Sequence, residues 1–265
     1  MAKKRKVLHD LGLGHYGVIP YEIDSDDFFV SYVDILGFKD IIQADPAGKE
    51  FLPLIENAVK RGLHYAKLVK ELGGELEYRI FSDNVCFWIP VKHGAVSFMA
   101  LLATLAGFQF NLVSNGLLCR GGISMGFHYS SEYTIYGPAI VKAVELEHIA
   151  SYPRILIDSE ILQDENIITA PFFSFQLAAV EDEHVFINYL WMLFYVEEDL
   201  FSTKREAGIS NLRSHRDTVL KGLEKYKDSP KILQKYKWLK DYHNLIVGLL
   251  DLREQNMGIS QEVIP

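Results

Sequence analysis

Cysteine is almost missing from this chain: Cys86 and Cys119 are the only two among 265 residues. Two thiols cannot build a disulfide framework or a thiolate zinc site, and both lie in apolar, strand-like runs. They read as reduced core residues of a cytosolic protein. Basic charge is also scarce, with 27 Lys and Arg against 35 Asp and Glu and a formal net charge of −8. That balance argues against a general nucleic-acid-binding surface. The one dense basic run, Lys3-Lys4-Arg5-Lys6, falls in the N-terminal tail and reads as solvated. His9, Asp10 and glycines follow it rather than an apolar run, so no signal-peptide pattern is present. The apolar stretch over 96–118 has the length of a membrane span, yet Gln109, Asn111, Ser114 and Asn115 recur along its second half. It reads as a buried amphipathic helix, with no membrane partner implied.

About half of the residues are apolar, 49%, enough for one large domain or a domain with a helical appendage. Residues 1–26 mix charge, Gly and Pro without periodicity and read as a leader. A strand is expected over 28–36, then a helix over 53–72 stopped by Gly73-Gly74. A β-hairpin follows over 75–90 with its turn at Ser82-Asp83-Asn84, then the helix over 96–115 and a strand over 117–127. Tyr136-Gly137-Pro138 opens a helix over 139–150, with proline in the first turn, and short strands are expected over 154–157 and 184–189. Beyond residue 211 the pattern turns charged and helical, over 213–226 and 231–256, broken by Asp228-Ser229-Pro230. This divides the chain into a leader (1–26), an α+β domain (27–195) and a helical C-terminal extension (196–265). The order of elements points to a ferredoxin-like sandwich, an antiparallel sheet with helices on one face.

The chemistry gathers at two strand ends. Tyr32-Val33-Asp34-Ile35-Leu36-Gly37-Phe38 is an apolar strand ending in one carboxylate and a glycine turn. Glu77-Tyr78-Arg79-Ile80-Phe81 runs into Ser82-Asp83-Asn84. A lone carboxylate beside a core is costly unless paired or bound to a cation, so Asp34 and Asp83 read as metal ligands. The competing reading makes each a turn or capping aspartate. Asp26-Asp27 and Asp182-Glu183 read as solvated loops.

Asp34-Ile35-x-Gly37-Phe38, Phe81-Ser82-Asp83 at a hairpin, Arg120-x-Gly122-Ile123-x-x-Gly126, and Tyr136-Gly137 before a helix carrying Ala143 resemble the class III nucleotidyl cyclase domain. The resemblance covers about residues 28–160 in the right order. Within that group the chain looks most like the bacterial Pycsar pyrimidine cyclases, including C-terminal helices with Lys235-Tyr236-Lys237-Trp238-Leu239 and Tyr242-His243-Asn244. It implies a cyclase making cyclic UMP or cyclic CMP for antiphage signalling. It also implies two Mg²⁺ or Mn²⁺ ions held by Asp34, Asp83 and the Ile35 carbonyl, with Leu36, Gly37 and Phe38 offering backbone N–H groups to the phosphates. Hard ions of this kind take such oxygen ligands, and Gly37 permits close approach. The partners implied are a nucleoside triphosphate and a second copy, in a head-to-tail homodimer with composite sites.

In the family, one position four residues before the second aspartate and one three before the glycine of the third helix read the base. Here these are Arg79 and Thr134, unlike either purine pattern. Arg79 carries a rigid fork of donors suited to the acceptor-rich edge of a pyrimidine. Tyr32 lies two residues before Asp34 on the same strand face, where its ring would shorten the pocket. Uracil offers Arg79 two carbonyl acceptors, which leans the reading to UTP over CTP. The family's helix would carry Asn and Arg where this chain has Val141 and Glu145, so either another cation stabilises the transition state or the enzyme is slow or inactive. Lys142 and Lys39 are the nearest substitutes. The alternatives are a purine cyclase with an unusual pocket, a cyclase-fold module that binds nucleotide without turning it over, and, least, a polymerase palm.

Overall fold

The structure, a computed structural model, describes residues 5–7, 21–23, 27–64, 75–168, 177–179, 184–191, 204–253 and 259–265. In chain order the elements are β1 (Arg5–Val7), β2 (Tyr21–Ile23), β3 (Asp27–Ile35), α1 (Phe38–Ala44), α2 (Phe51–His64), β4 (Glu77–Phe81), β5 (Asn84–Pro90) and α3 (Ala95–Ser114). They continue with β6 (Cys119–Phe127), β7 (Tyr129–Ser130), β8 (Ile135–Tyr136), α4 (Pro138–Ile149), β9 (Ile155–Ile157), α5 (Ser159–Gln163), α6 (Glu165–Ile168), β10 (Leu177–Ala179), β11 (Val185–Ile187), α7 (Lys204–Lys225) and α8 (Pro230–Arg253). The expected helix beyond His64, its Gly73-Gly74 stop, Lys3, Lys4, Asp26, Asp182 and Glu183 lie outside the described residues. Within the expected leader, β1 pairs antiparallel with β2.

The main sheet has the order β10-β11-β9-β6-β3-β5-β4. Its last four strands in that order, β6-β3-β5-β4, follow the ferredoxin-like arrangement, in which the first strand of the repeat lies in the middle. All of their pairings are antiparallel, and only β6 with β9 is parallel. The α+β class and the mainly antiparallel sheet are therefore as expected.

Alternation along β3 decides the two faces. Phe29, Val33 and Ile35 enter the main core with Ile55 and Val59 of α2 and Leu101 and Leu105 of α3. Val30, facing the other way, joins Cys86, Trp88 and Ala139 in a smaller cluster with Tyr32 beside it. The helices thus cover more than the one face expected, because α4 crosses from β6 to β9 over this second face. Gly122 makes that seat possible: a Cβ there would meet the Ala143 carbonyl oxygen and the Leu146 Cβ, each at 2.4 Å.

The helix α3 is buried on most sides rather than amphipathic. The sheet, α2 and the C-terminal helices enclose it, so its pattern need not show a polar stripe. Two of its inward polar groups are tied to backbone: Gln109 Nε2 donates to the Pro153 carbonyl at 3.0 Å and Thr104 Oγ1 to the Ala100 carbonyl at 2.8 Å. Cys86 and Cys119 are both buried free thiols.

The two C-terminal helices share the main core through Leu212, Tyr242, Ile246, Val247 and Leu250. Between them runs a buried polar chain. Tyr189 Oη lies 2.7 Å from His215 Nε2, His215 Nδ1 lies 3.1 Å from His243 Nδ1, and His243 Nε2 lies 2.8 Å from the Glu262 carbonyl oxygen. A carbonyl only accepts, so His243 Nε2 carries the proton, His215 Nδ1 donates to His243, and Tyr189 donates to His215. Burial depresses both histidines from their ordinary 6.5; His243 adds to the effect on His215, while for His243 the Glu262 carbonyl opposes it and Arg216 adds to it. Both stay neutral in the folded chain and protonate once unfolded below about 6.5, so stability rises with pH through that window and is lost as pH falls. The thermal midpoint is expected to drop between about pH 7 and pH 5, and to drop less in a His215→Phe chain. Melts across that range check it.

Candidate active site

Asp34 stands one residue from the end of β3, between Arg120 of β6 on one side and Asn84 of β5 on the other. The hairpin turn is drawn to the same point, because Ile35 N–H donates to the Asp83 carbonyl oxygen at 2.8 Å. Phe81 pairs with Asn84 across a two-residue loop, and Ser82 takes a left-handed φ of 59°. A serine held there is strained, of the kind that clusters at functional sites. The Asp83 carboxylate accepts from Asn84 Nδ2 at 3.0 Å. Sequence spacing placed both aspartates at strand ends; pairing brings those ends together.

Burial pushes the Asp34 carboxyl above its ordinary range, the Asp83 charge adds to the push, and Arg120 opposes it. Arg120 Nε lies 3.6 Å from Asp34 Oδ2 and 2.6 Å from Glu147 Oε1, and Glu147 is almost wholly buried on α4. Glu147 is raised too, first by burial, with Arg120 opposing and Asp34 adding. Tyr32, on the same sheet face as Asp34, is pushed up to about 12 by burial and then by Cys86, Glu147, Asp34 and Asp83. It therefore remains an O–H donor at neutral pH.

The strand register sets Tyr32 opposite Cys86 and Cys86 opposite Arg79, so Tyr32 and Arg79 lie in one row across the sheet. The Arg79 guanidinium donates to the Ser131 carbonyl at 2.6 Å and the Glu132 carbonyl at 3.2 Å. Ser131 in turn accepts from Thr134 N–H at 3.2 Å through its hydroxyl and donates its own N–H to the Thr134 carbonyl at 2.9 Å. Arg79 and Thr134 are thus brought together around the loop joining β7 and β8, and part of the Arg79 fork is spent on that loop.

At the glycine turn, Gly37 takes a left-handed φ of 80° and opens α1. The Leu36 N–H donates to the Leu118 carbonyl at 2.8 Å, so it is not free for a phosphate; Gly37 and Phe38 remain as the turn's donors. Lys142 does not join this cluster. Its ammonium lies 2.7 Å from Asp158 and 2.8 Å from Glu160. Burial alone would lower its pKa, but those two hydrogen bonds raise it. Val141 and Glu145 are both exposed on α4.

Among the described residues no group of three or more His, Cys, Asp and Glu side chains could hold a metal. Asp34 and Asp83 nevertheless fit a hard divalent cation that takes its remaining ligands from backbone, water or substrate oxygen. Burial is what raises Asp34, and such an ion would oppose it by favouring the ionised carboxylate.

No family model matches the chain, and no curated protein matches it. Solved structures similar to it in shape include three cyclases. One is a bacterial light-regulated adenylyl cyclase, at 16% identity and a TM-score of 0.37, covering 62% of this chain and 90% of that one. The adenylyl cyclase CyaB from P. aeruginosa matches at 19% identity and 0.38, covering 61% and 91%. The monomeric guanylyl cyclase domain of the RhoGC fusion protein from the aquatic fungus Blastocladiella emersonii matches at 12% and 0.38, covering 62% and 95%.

Arg120, Glu147 and Lys235 are the site's unforeseen members. Arg120 was visible as part of a motif, but only the β3–β6 register shows that it faces Asp34. Glu147 is one of several acidic residues on a helix, and nothing local marks it as inward-facing. Lys235 comes from α8, and its charge acts on both Asp34 and Arg120.

Proposed function

We propose that this chain is a pyrimidine nucleotide cyclase that converts UTP or CTP to the 3′,5′-cyclic monophosphate and pyrophosphate. The carrying observation is the pairing of Asp34 and Asp83 at adjacent strand ends, fixed by the Ile35 N–H to Asp83 carbonyl bond. In the reaction the ribose 3′-oxygen gives up its proton to solvent water and bonds to the α-phosphorus. The bond from that phosphorus to the β-phosphate oxygen breaks, and pyrophosphate leaves with the electron pair. Asp34 and Asp83, with the Ile35 carbonyl, would hold divalent ions, whose chemistry is to neutralise charge on the attacking and leaving oxygens.

The chain's own groups do the rest. Tyr32 keeps its proton and bounds the pocket on the Asp34 face. Arg79 and Thr134 sit at one loop, where the fork's remaining donors suit uracil O2 and O4 or cytosine O2 and N3. Exposed Tyr78, Phe81, Tyr129, Tyr133, Tyr136 and Val141 support a homodimer, since a second copy would cover them. Antiphage signalling follows from the resemblance alone.

Glu145 and the occupied Lys142 favour one second reading, a module that binds nucleotide without cyclising it. Incubating the full chain with Mn²⁺ and each of ATP, GTP, CTP and UTP separates the two. A cyclic pyrimidine monophosphate, absent in Asp83→Ala, is the expected product. Purine product alone overturns the pocket assignment, and nucleotide binding without any product favours the module.

A further inference from the structure

The C-terminal helix α8 is seated on the strand ends that carry the site. Tyr236 and Leu239 pack with Val113 and Leu118 in a separate cluster, and Leu36 packs against it. The Tyr236 hydroxyl reaches the Gly116 carbonyl at 3.5 Å. Leu118 in turn receives the Leu36 N–H, two residues beyond Asp34. Lys235, next to Tyr236 on this turn, is half-buried and close enough for its charge to bear on Asp34 and Arg120.

Its surroundings differ from those of the ion-paired lysines. Lys142 lies against two carboxylates, Lys60 against Glu56 and Lys227 against Glu224. Lys235 makes no ion pair among the described residues; burial lowers its pKa, the Arg120 cation lowers it further and the Asp34 carboxylate opposes them. Partial burial of an ammonium next to another cation costs stability. An anion of several charges placed near Lys235 and Arg120 would offset that cost.

We propose that Lys235 binds the polyphosphate of the nucleoside triphosphate at the Asp34–Asp83 site, supplying from the C-terminal helix the cation that α4 lacks at Glu145. This rests on the cyclase reading and extends it: α8 becomes part of the active site. The Tyr236 packing seats this turn of α8 beside the strand ends, and a half-buried lysine there can lay its stem along the protein while its ammonium reaches outward.

The test is calorimetric binding of tripolyphosphate, UTP, CTP, uridine and cytidine, with Mg²⁺, to the full wild-type chain and to Lys235→Met, Lys235→Arg and Lys237→Met. Lys235→Met keeps the apolar stem, and its thermal melt shows whether it folds; Lys235→Gln carries the same test if it does not. Losing one charge-assisted phosphate contact is expected to weaken triphosphate and tripolyphosphate binding roughly tenfold or more. Nucleoside binding should not change, Lys235→Arg should restore most of the loss, and exposed Lys237 should be neutral. Wild-type affinity for tripolyphosphate in Lys235→Met overturns the inference while leaving the cyclase reading standing. Failure of the wild-type chain to bind any triphosphate overturns both.

Discussion

An Asp34→Asn chain is expected to lose cyclisation by roughly a thousandfold, the scale of several kcal/mol of transition-state charge stabilisation, while keeping its fold. Asparagine matches the shape of the aspartate but cannot serve as an anionic ligand. The stability side is separate. Because burial raises Asp34, the folded state holds its proton more tightly than the unfolded chain does. Stability from this group is therefore lost as pH rises through the window between the ordinary carboxylate value and the raised one. At neutral pH the ionised side chain is a cost, and removing its charge should leave the melting midpoint unchanged or higher, with Arg120 still paired to Glu147. Mn²⁺ should raise the midpoint of the wild-type chain by binding the folded state, and the rise should vanish in the variant. Initial rates and melts with and without Mn²⁺ check this, and cyclisation at the wild-type rate would remove Asp34 from the metal site.

The second large effect concerns Gly122, and needs no nucleotide to be seen. A Cβ at this position would lie 2.4 Å from a backbone oxygen and 2.4 Å from the first side-chain carbon of α4. Neither atom can swing aside, so even Gly122→Ala must push the helix off the sheet. Overpacking costs about 1–3 kcal/mol and more where backbone meets backbone. At about 2–4 °C per kcal/mol for a chain of this size, Gly122→Ala should lose about 5–10 °C, and Gly122→Leu should fail to form the native helix–sheet contact. Melting by circular dichroism reads both. An unchanged midpoint in Gly122→Ala would mean that α4 does not sit on Gly122. The same displacement would draw Glu147 away from Arg120 and leave that guanidinium to Asp34 alone.

Where the chain announces its structure, it does so by periodicity and punctuation. The strand ending at Asp34, the hairpin turning at Ser82-Asp83 and the helix opened by Pro138 all follow from alternation, helical spacing or a turn residue. The helix α1 had no such signal, since its seven residues bury none of their side chains. Coverage of the second sheet face was also hidden, because the cluster of Val30, Cys86, Trp88 and Ala139 draws single residues from distant segments. For the site, the two aspartates and Tyr32 could be placed on strands from local pattern, whereas Arg120 and Glu147 acquire their roles through register and helix seating. The Arg79 fork was legible as a donor set, but not its attachment to the Ser131 and Glu132 carbonyls.

The middle position of β3 has a temporal consequence. It is the earliest strand of the main sheet to be synthesised, yet it pairs with β5 and β6 on its two sides, both of which come later. Contacts so distant along the chain form slowly, because loop closure must precede the gain they bring. Asp34 therefore leaves the ribosome long before Asp83 and Arg120, and longer still before Lys235. If the proposed function holds, a nascent or truncated chain has a lone carboxylate and no competent centre, so a half-made copy is silent by construction.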